Sequence, residues 1–285
     1  MFSQILLNGI FTSAIYCLIA LGLTLILGVM DIADFAQAGL YMVGAFLTFI
    51  VFEIWGLNFL VSVCIAIVVV SFVGIVNNIV VYQPAMKRGA NSLIAALGIL
   101  LIIQNLALLV FGADYQTLQL PFGQGNVQIF KGTITLYKSM IVLIACVLVP
   151  AVSLFLNKTK IGRAIRAVSQ NKEGASIVGI GSGRVSVITF GIGSAIVGLT
   201  GALVSPIYAF DAHFGSHIIV KAFTIAIFGG LGSIPGTVVG ALIIGIGENM
   251  VAGYVSTEYS SLMTFALLIL ILFVRPQGIF GRKAI

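Results

Sequence analysis

The chain has 285 residues, 60% of them hydrophobic and 8% charged, with a mean hydropathy of +1.20. A soluble domain is about 25% charged, so 14 Lys and Arg with 8 Asp and Glu cannot cover a water-exposed surface. This excludes an ordinary soluble enzyme, a nucleic-acid binder and a disordered chain, and it leaves the placement of the net charge of +6 as the informative quantity. One membrane span takes about 20 apolar residues, so about eight or nine spans with short loops fill this length as one polytopic all-α domain over 1–285.

The first apolar run covers about 5–29. Met1-Phe2-Ser3-Gln4 lacks the basic segment of a cleavable signal peptide, and Tyr16 precedes Cys17 where a lipoprotein cleavage site needs a small residue. The run is therefore expected to be a retained span. Cys17, Cys64 and Cys146 lie inside apolar runs and are expected to be buried free thiols. A polar break, Met30 to Gln37, carries Asp31 and Asp34. A second run covers about 38–52 and ends near Trp55, which suits a membrane interface. A third covers about 59–82, followed by Gln83-Pro84-Ala85-Met86-Lys87-Arg88-Gly89, a basic loop with helix breakers. A fourth run covers about 92–111. Residues 112–137 form the longest polar stretch, with a short hairpin expected around Gly132-Thr133. A fifth run covers about 138–156, and residues 157–184 are the most charged part of the chain. Four further runs cover about 185–209, 217–230, 236–253 and 259–274, and the tail is basic.

Two basic residues lie at Lys87 and Arg88. Six lie at Lys158, Lys160, Arg163, Arg166, Lys172 and Arg184. Three lie at Arg275, Arg282 and Lys283, so eleven of the 14 fall in three segments. If each run spans once, all three segments lie on one side, which is then the cytoplasm. The N-terminus and the 112–137 loop, with Lys131 and Lys138, then lie outside and the C-terminus inside. The pair 217–230 and 236–253 is the exception: it spans twice or forms a re-entrant hairpin.

Gly229-Gly230-Leu231-Gly232-Ser233-Ile234-Pro235-Gly236, continued to Gly240, is the most informative stretch. Gly232, Gly236 and Gly240 recur every four residues, which gives a helical face without side chains. Pro235 and the paired glycines mark a helix start or break. Two readings stand here, tight helix packing and the lining of a transport path. Asp31 and Asp34 either cap the next helix or face a cavity. Asn77-Asn78, Gln104-Asn105 and Glu248-Asn249 either bond between helices or contact a polar solute. Lys221 either snorkels outward or lines the path. Asp211, His213 and His217 read as ordinary loop polarity, and no metal is expected.

Residues 157–184 carry the mechanism. Lys158 to Val168 reads as a basic amphipathic helix. Asn171-Lys172-Glu173-Gly174-Ala175-Ser176-Ile177-Val178-Gly179-Ile180 follows, rich in small residues. The segment either lies on anionic lipid or docks a cytosolic partner. No G-x-x-x-x-G-K-[ST] phosphate loop and no H-E-x-x-H occurs. Uphill transport would then draw on an ion gradient or on another subunit.

At these segments the chain resembles the membrane permeases of bacterial ABC importers, of the branched-chain amino acid type. The resemblance rests on Lys221-Ala222-Phe223 leading into Gly229 to Gly236, on Phe265 to Leu270, and on Pro276-Gln277-Gly278-Ile279-Phe280-Gly281. Tyr41-Met42-Val43-Gly44-Ala45 and Gly162-Arg163-Ala164-Ile165-Arg166-Ala167 extend it over nearly the whole chain. It implies an inner-membrane permease that forms the path for branched-chain or other amino acids, urea or short amides. It implies a second related permease, two cytosolic ATPases that hold ATP and Mg, and a periplasmic or extracellular binding protein. No cofactor is implied in this chain. Glu173, Gly174, Ala175 and Gly179 match the coupling motif E-A-A-x-x-x-G, with Gly174 in place of the first alanine and the later proline absent. Arg163 and Arg166 join them as the expected ATPase contact. Gln37, Tyr41, Gln104, Asn105 and Asn249 are the expected polar groups of the path. The alternative of another class is a self-sufficient secondary carrier or channel, for which Glu248 is the candidate ion-coupling carboxylate.

Overall fold

The computed structural model describes residues 1–280 except Gln124, Phe130, Lys131 and Pro276. Lys131 of the expected outer loop, and Pro276, Gly281, Arg282 and Lys283 of the tail, lie outside the described residues. The elements in chain order are α1 (Phe2–Met30), α2 (Ala36–Phe49), α3 (Phe59–Asn77), α4 (Gln83–Lys87), α5 (Ser92–Phe111), β1 (Asn126–Ile129), β2 (Gly132–Thr135), α6 (Leu136–Lys158), α7 (Lys160–Gln170), α8 (Lys172–Ile177), α9 (Ser182–Val204), α10 (Phe214–Gly229), α11 (Ile234–Tyr254) and α12 (Thr257–Val274). A π-helical turn, Ile50–Ile54, extends α2, and a second, Asn78–Tyr82, joins α3 to α4.

Among the described residues eight helices are long and apolar enough to cross a membrane: α1, α2 with its π-turn, α3 through α4, α5, α6, α9, α11 and α12. The ninth apolar helix, α10, has 16 residues. At about 1.5 Å per residue it reaches about 24 Å, short of a hydrocarbon core of about 30 Å. The protein is an all-α polytopic membrane protein, as the apolar runs require. Outward faces such as Leu109 on α5 and Phe273 on α12 are apolar and exposed, as lipid or another membrane subunit demands.

The third run departs from expectation at its end. The helix does not stop before Pro84 but continues to Lys87. Pro84 falls in the first turn of α4, directly after the π-turn, the helix position that proline tolerates best. The cysteines also differ: all three are free, but only Cys17 is buried, while Cys64 and Cys146 face outward from their helices.

The backbone divides into two compact units. One comprises Met1–Thr24, Leu120–Val152 and Val220–Ile285. In it Ala14 and Leu18 of α1 pack on Ala145 of α6. Gly9 lies against Ile246, and Gly245 against Ser13, so α1 and α11 approach backbone to backbone. The expected hairpin is present, with Val127 opposite Ile134. Gln4 ties it to α1 by accepting from Thr133 N and donating to Thr133 O, both at 2.8 Å.

The other unit comprises Leu25–Gln119 and Ser153–Ile219. There α2 packs on α3, α5 and α9. Its core holds Met42, Ala45, Phe46, Ala107, Phe210 and Ala212. Phe46 stacks on Phe111 at 4.2 Å and meets Phe210 edge-on at 5.1 Å; the edge-on contact is one that aromatic quadrupoles favour.

Candidate functional site: a docking segment, a glycine turn and two buried polar clusters

The charged stretch after α6 folds as two short helices whose ends are fixed by side chains. Thr159 accepts from Gly162 N at 2.9 Å and caps α7, and Asn171 accepts from Gly174 N at 2.7 Å and caps α8. Such caps are each worth about 1 kcal/mol. Gly162, Ile165 and Val168 form the buried stripe of α7, and a side chain at Gly162 would run into Phe155 O and Leu156. Arg163 and Arg166 are exposed, and Arg166 reaches Asn157 Oδ1 at 2.7 Å. On α8, Ala175 is buried, Glu173 is exposed and Gly174 lies beside Asn171. Gly179, at φ +83°, closes the turn after α8, a backbone region that glycine enters without penalty. At the tip Ile177 is 84% and Val178 73% exposed. The segment thus carries exposed charged side chains on both helices and two exposed apolar ones at the end of α8.

The glycine segment joins α10 to α11. Gly230 and Gly232 take φ of +100° and +77°, so Gly232 lies in the turn and not on the face of α11. Ser233 caps α11 by accepting from Gly236 N at 3.2 Å, and Pro235 sits in the first turn. Gly229 and Gly236 touch backbone to backbone, and a Cβ added at Gly240 would lie 3.1 Å from Ile225 O. This is close helix packing. Residues after α12 close over the turn: Ile279 N donates to Phe228 O at 2.9 Å and Phe280 N to Gly229 O at 3.1 Å. The glycine segment and the tail, two separate parts of the resemblance, are thus bonded to each other.

In the same unit lies a buried charge cluster. Lys221 Nζ sits 2.9 Å from Glu248 Oε1 and 3.0 Å from Oε2. Tyr16 OH donates to Glu248 Oε2 at 2.6 Å, and Thr264 Oγ1 donates to Oε1 at 2.6 Å. Glu248 is 5% exposed. One carboxylate thus binds α1, α10, α11 and α12 together. Lys221 neither snorkels nor stands free. An ion-coupling carboxylate must exchange its proton or ion with solvent, and both oxygens of Glu248 are already occupied. Next to it, Asn249 Nδ2 donates to Thr12 Oγ1 at 3.1 Å.

The second polar cluster belongs to the other unit. Asp31 is exposed at φ +58°. Asp34 is buried and accepts from Ala36 N at 3.0 Å, from Gln37 Nε2 at 2.8 Å and from Tyr82 OH. It therefore supports the start of α2 although it is not the N-cap residue. Burial pushes the Asp34 carboxyl above its usual value, and the hydrogen bonds from Gln37, Tyr82 and Ala36 pull it back. Gln37 Nε2 also reaches Ser194 Oγ at 3.3 Å. Gln37 Oε1 and Tyr41 OH are buried without a hydrogen-bond partner among the described residues. Gln37 and Tyr41 stand one turn apart on α2, and the Tyr41 ring stacks on Phe214 at 5.1 Å. Gln104 Nε2 donates to Ser216 Oγ at 2.7 Å. Asn105 is exposed and bonds only its own helix, to Leu101 O at 2.8 Å. Of the five expected path residues, Gln37 and Tyr41 share one helix face, Asn105 faces away from the core, and Asn249 belongs to the other unit.

Sequence reasoning missed Tyr16, Tyr82, Ser186, Ser194 and Thr264. The available signal was a hydroxyl inside an apolar run, which needs a partner when buried. Asp211 and His213 stand 4.0 Å apart in an exposed loop. Among the described residues no group of three or more His, Cys, Asp or Glu gathers to hold a metal.

Long apolar helices, close glycine seams and buried polar clusters define a polytopic all-α membrane protein. The family described as branched-chain amino acid transport system / permease component matches residues 5–272. The chain belongs to that family. It is 35% identical to the high-affinity branched-chain amino acid transport system permease protein LivH of Escherichia coli K12, over 100% of this chain and 97% of the relative. It is 31% identical to BraD of Pseudomonas aeruginosa, a permease protein of a system with the same description, over 99% and 96%. It is 24% identical to the permease protein LivM of E. coli K12, over 93% of this chain and 67% of the relative. No solved structure matches.

Proposed function

We propose that this chain is one of two related permeases in an ATP-driven importer of the bacterial cytoplasmic membrane. It forms part of the path for leucine, isoleucine, valine or a similar small solute. Two cytosolic ATPase chains, which hold ATP and Mg, dock on α7 and α8, and a binding protein outside delivers the solute. The similarity to both LivH and LivM supports a pair of related permeases. With α10 counted as a crossing, the basic segments share the cytoplasmic side and the N-terminus lies outside.

One observation supports the reading: the capped α7–α8 segment exposes Ile177 and Val178 at its end and Arg163, Arg166, Lys172 and Glu173 along its helices. A lipid-bound helix would turn its apolar residues into the bilayer along its length, whereas α7 buries Ile165 and Val168 in the protein and leaves Ile161 exposed. Two exposed apolar side chains on a charged segment suit a protein groove, where a few buried side chains dominate affinity. The charges then set orientation and encounter.

The test is co-purification of the tagged chain from its own membrane in mild detergent. The expected result is recovery of ATPases bearing phosphate loops together with a second permease. Arg163→Glu combined with Arg166→Glu should lower ATPase recovery about tenfold, or about 1.4 kcal/mol, with the membrane level of the chain unchanged. Undiminished recovery would remove α7 from the contact.

A further inference from the structure

The docking segment does not end at α8. Ile180 N donates to Ala175 O at 3.0 Å, and the turn leads at once into α9 at Ser182. α7 and α8 both pack on α9. The first turns of α9 are then bonded to the π-turn after α3. Asn78 Nδ2 donates to Ser186 Oγ at 2.7 Å. Gln83 Nε2 donates to Asn78 Oδ1 at 2.9 Å and to Gly183 O at 3.2 Å. From the same π-turn Tyr82 OH donates to Asp34, which holds Gln37 on α2, and Gln37 returns to Ser194 on α9. The circuit runs from α9 to α3, to the break before α2, to α2 and back to α9. Asp34, Gln37, Asn78, Tyr82, Ser186 and Ser194 are all buried.

We infer that this buried circuit, through Asp34, Asn78, Tyr82 and Ser186, couples movement of the docking segment to α2, and that Tyr82 and Ser186 are positioning residues for transport. The inference rests on the ATPase-driven reading above. Buried polar networks break or move as units because no water replaces a lost partner. Packed elements that differ by such units switch between discrete arrangements. α2 is the element on which a switch would act, since Gln37 Oε1 and Tyr41 OH lack partners among the described residues in this arrangement, and buried polar groups ordinarily have them. The π-turn supplies a helix segment out of α-helical register, a feature frequent at functional sites.

The test uses the complete assembly, the chain with its ATPases, second permease and binding protein, in proteoliposomes. ATP hydrolysis and uptake of a labelled leucine, isoleucine and valine mixture are measured together. Tyr82→Phe removes one hydroxyl and keeps the ring against Phe190, 5.0 Å away. Ser186→Ala removes one hydroxyl, and Ser186→Thr restores it. The expected result for Tyr82→Phe and Ser186→Ala is hydrolysis within about twofold of wild type with uptake lowered about tenfold, and partial recovery in Ser186→Thr; a tenfold loss corresponds to about 1.4 kcal/mol. Should one variant fail to assemble, the other decides. A purely structural role lowers hydrolysis and uptake in proportion, and that result, or no change in either, overturns the inference. Wild-type assembly that lacks ATPases, or that shows no ATP-dependent uptake, overturns the underlying reading first and the inference with it.

Discussion

Lys221→Met is expected to destabilise the protein by about 3–5 kcal/mol, because it leaves the Glu248 carboxylate buried without its counter-charge. Removing one partner of a buried pair costs more than removing both, since the double change leaves no orphaned charge. Lys221→Met with Glu248→Met should therefore recover much of the loss. Glu248→Gln should be milder than Glu248→Ala, because an amide oxygen still accepts from Tyr16 or Thr264. Thermal denaturation in detergent, followed by the fraction remaining monodisperse, gives the ranking. A double variant as unstable as Lys221→Met alone would show that the pair is not the interaction that holds these four helices.

Gly201→Ala and Gly44→Ala are expected to force α2 and α9 apart. A Cβ at Gly201 would meet Tyr41 O, and one at Gly44 would meet Gly198 O. The obstacle is backbone in both cases, so no rotamer change relieves it. Overpacking of this kind costs about 1–3 kcal/mol per site, and the two together should abolish accumulation of folded protein. Gly98→Ala is the control: nothing lies within 4 Å of its Cβ, and in the middle of α5 alanine should gain about 0.5–1 kcal/mol. Expression level and thermal stability of the three single variants distinguish close packing from generic intolerance of added methyl groups. Equal loss at Gly98 and Gly201 would contradict the seam.

Much of the architecture is legible in the sequence because the bilayer admits few solutions. A run of apolar residues in lipid must satisfy its own backbone hydrogen bonds as a helix, so α1, α5, α6 and α11 fall where the runs do. The break at Gly230 is legible because the chain needs positive φ there and offers paired glycines, whereas Gly232, whose spacing to Gly236 and Gly240 reads as a helix face, lies in the turn. The continuation of α3 into α4 is not legible, because a π-turn is invisible to periodicity and Pro84 falls in the first turn after it. The polar clusters are half legible. Asp34, Gln37, Lys221 and Glu248 stand out as costly residues among apolar ones. Their partners do not: Tyr82 lies 48 residues from Asp34, and Tyr16 lies 232 from Glu248, a pairing set by helix packing alone. The same rule explains Asn105, whose outward direction follows from how α5 packs and not from its neighbour Gln104.

The most direct test of the account is uptake by proteoliposomes that hold this chain alone, compared with liposomes that hold it with its ATPases, second permease and binding protein. The measured quantity is accumulation of labelled leucine, isoleucine and valine, driven either by ATP or by an imposed ion gradient. The account predicts no accumulation by the chain alone under either drive, and ATP-dependent accumulation by the full assembly. Gradient-driven accumulation by the chain alone, abolished by Glu248→Gln, would contradict it and make Glu248 an ion-coupling group rather than the centre of a structural ion pair.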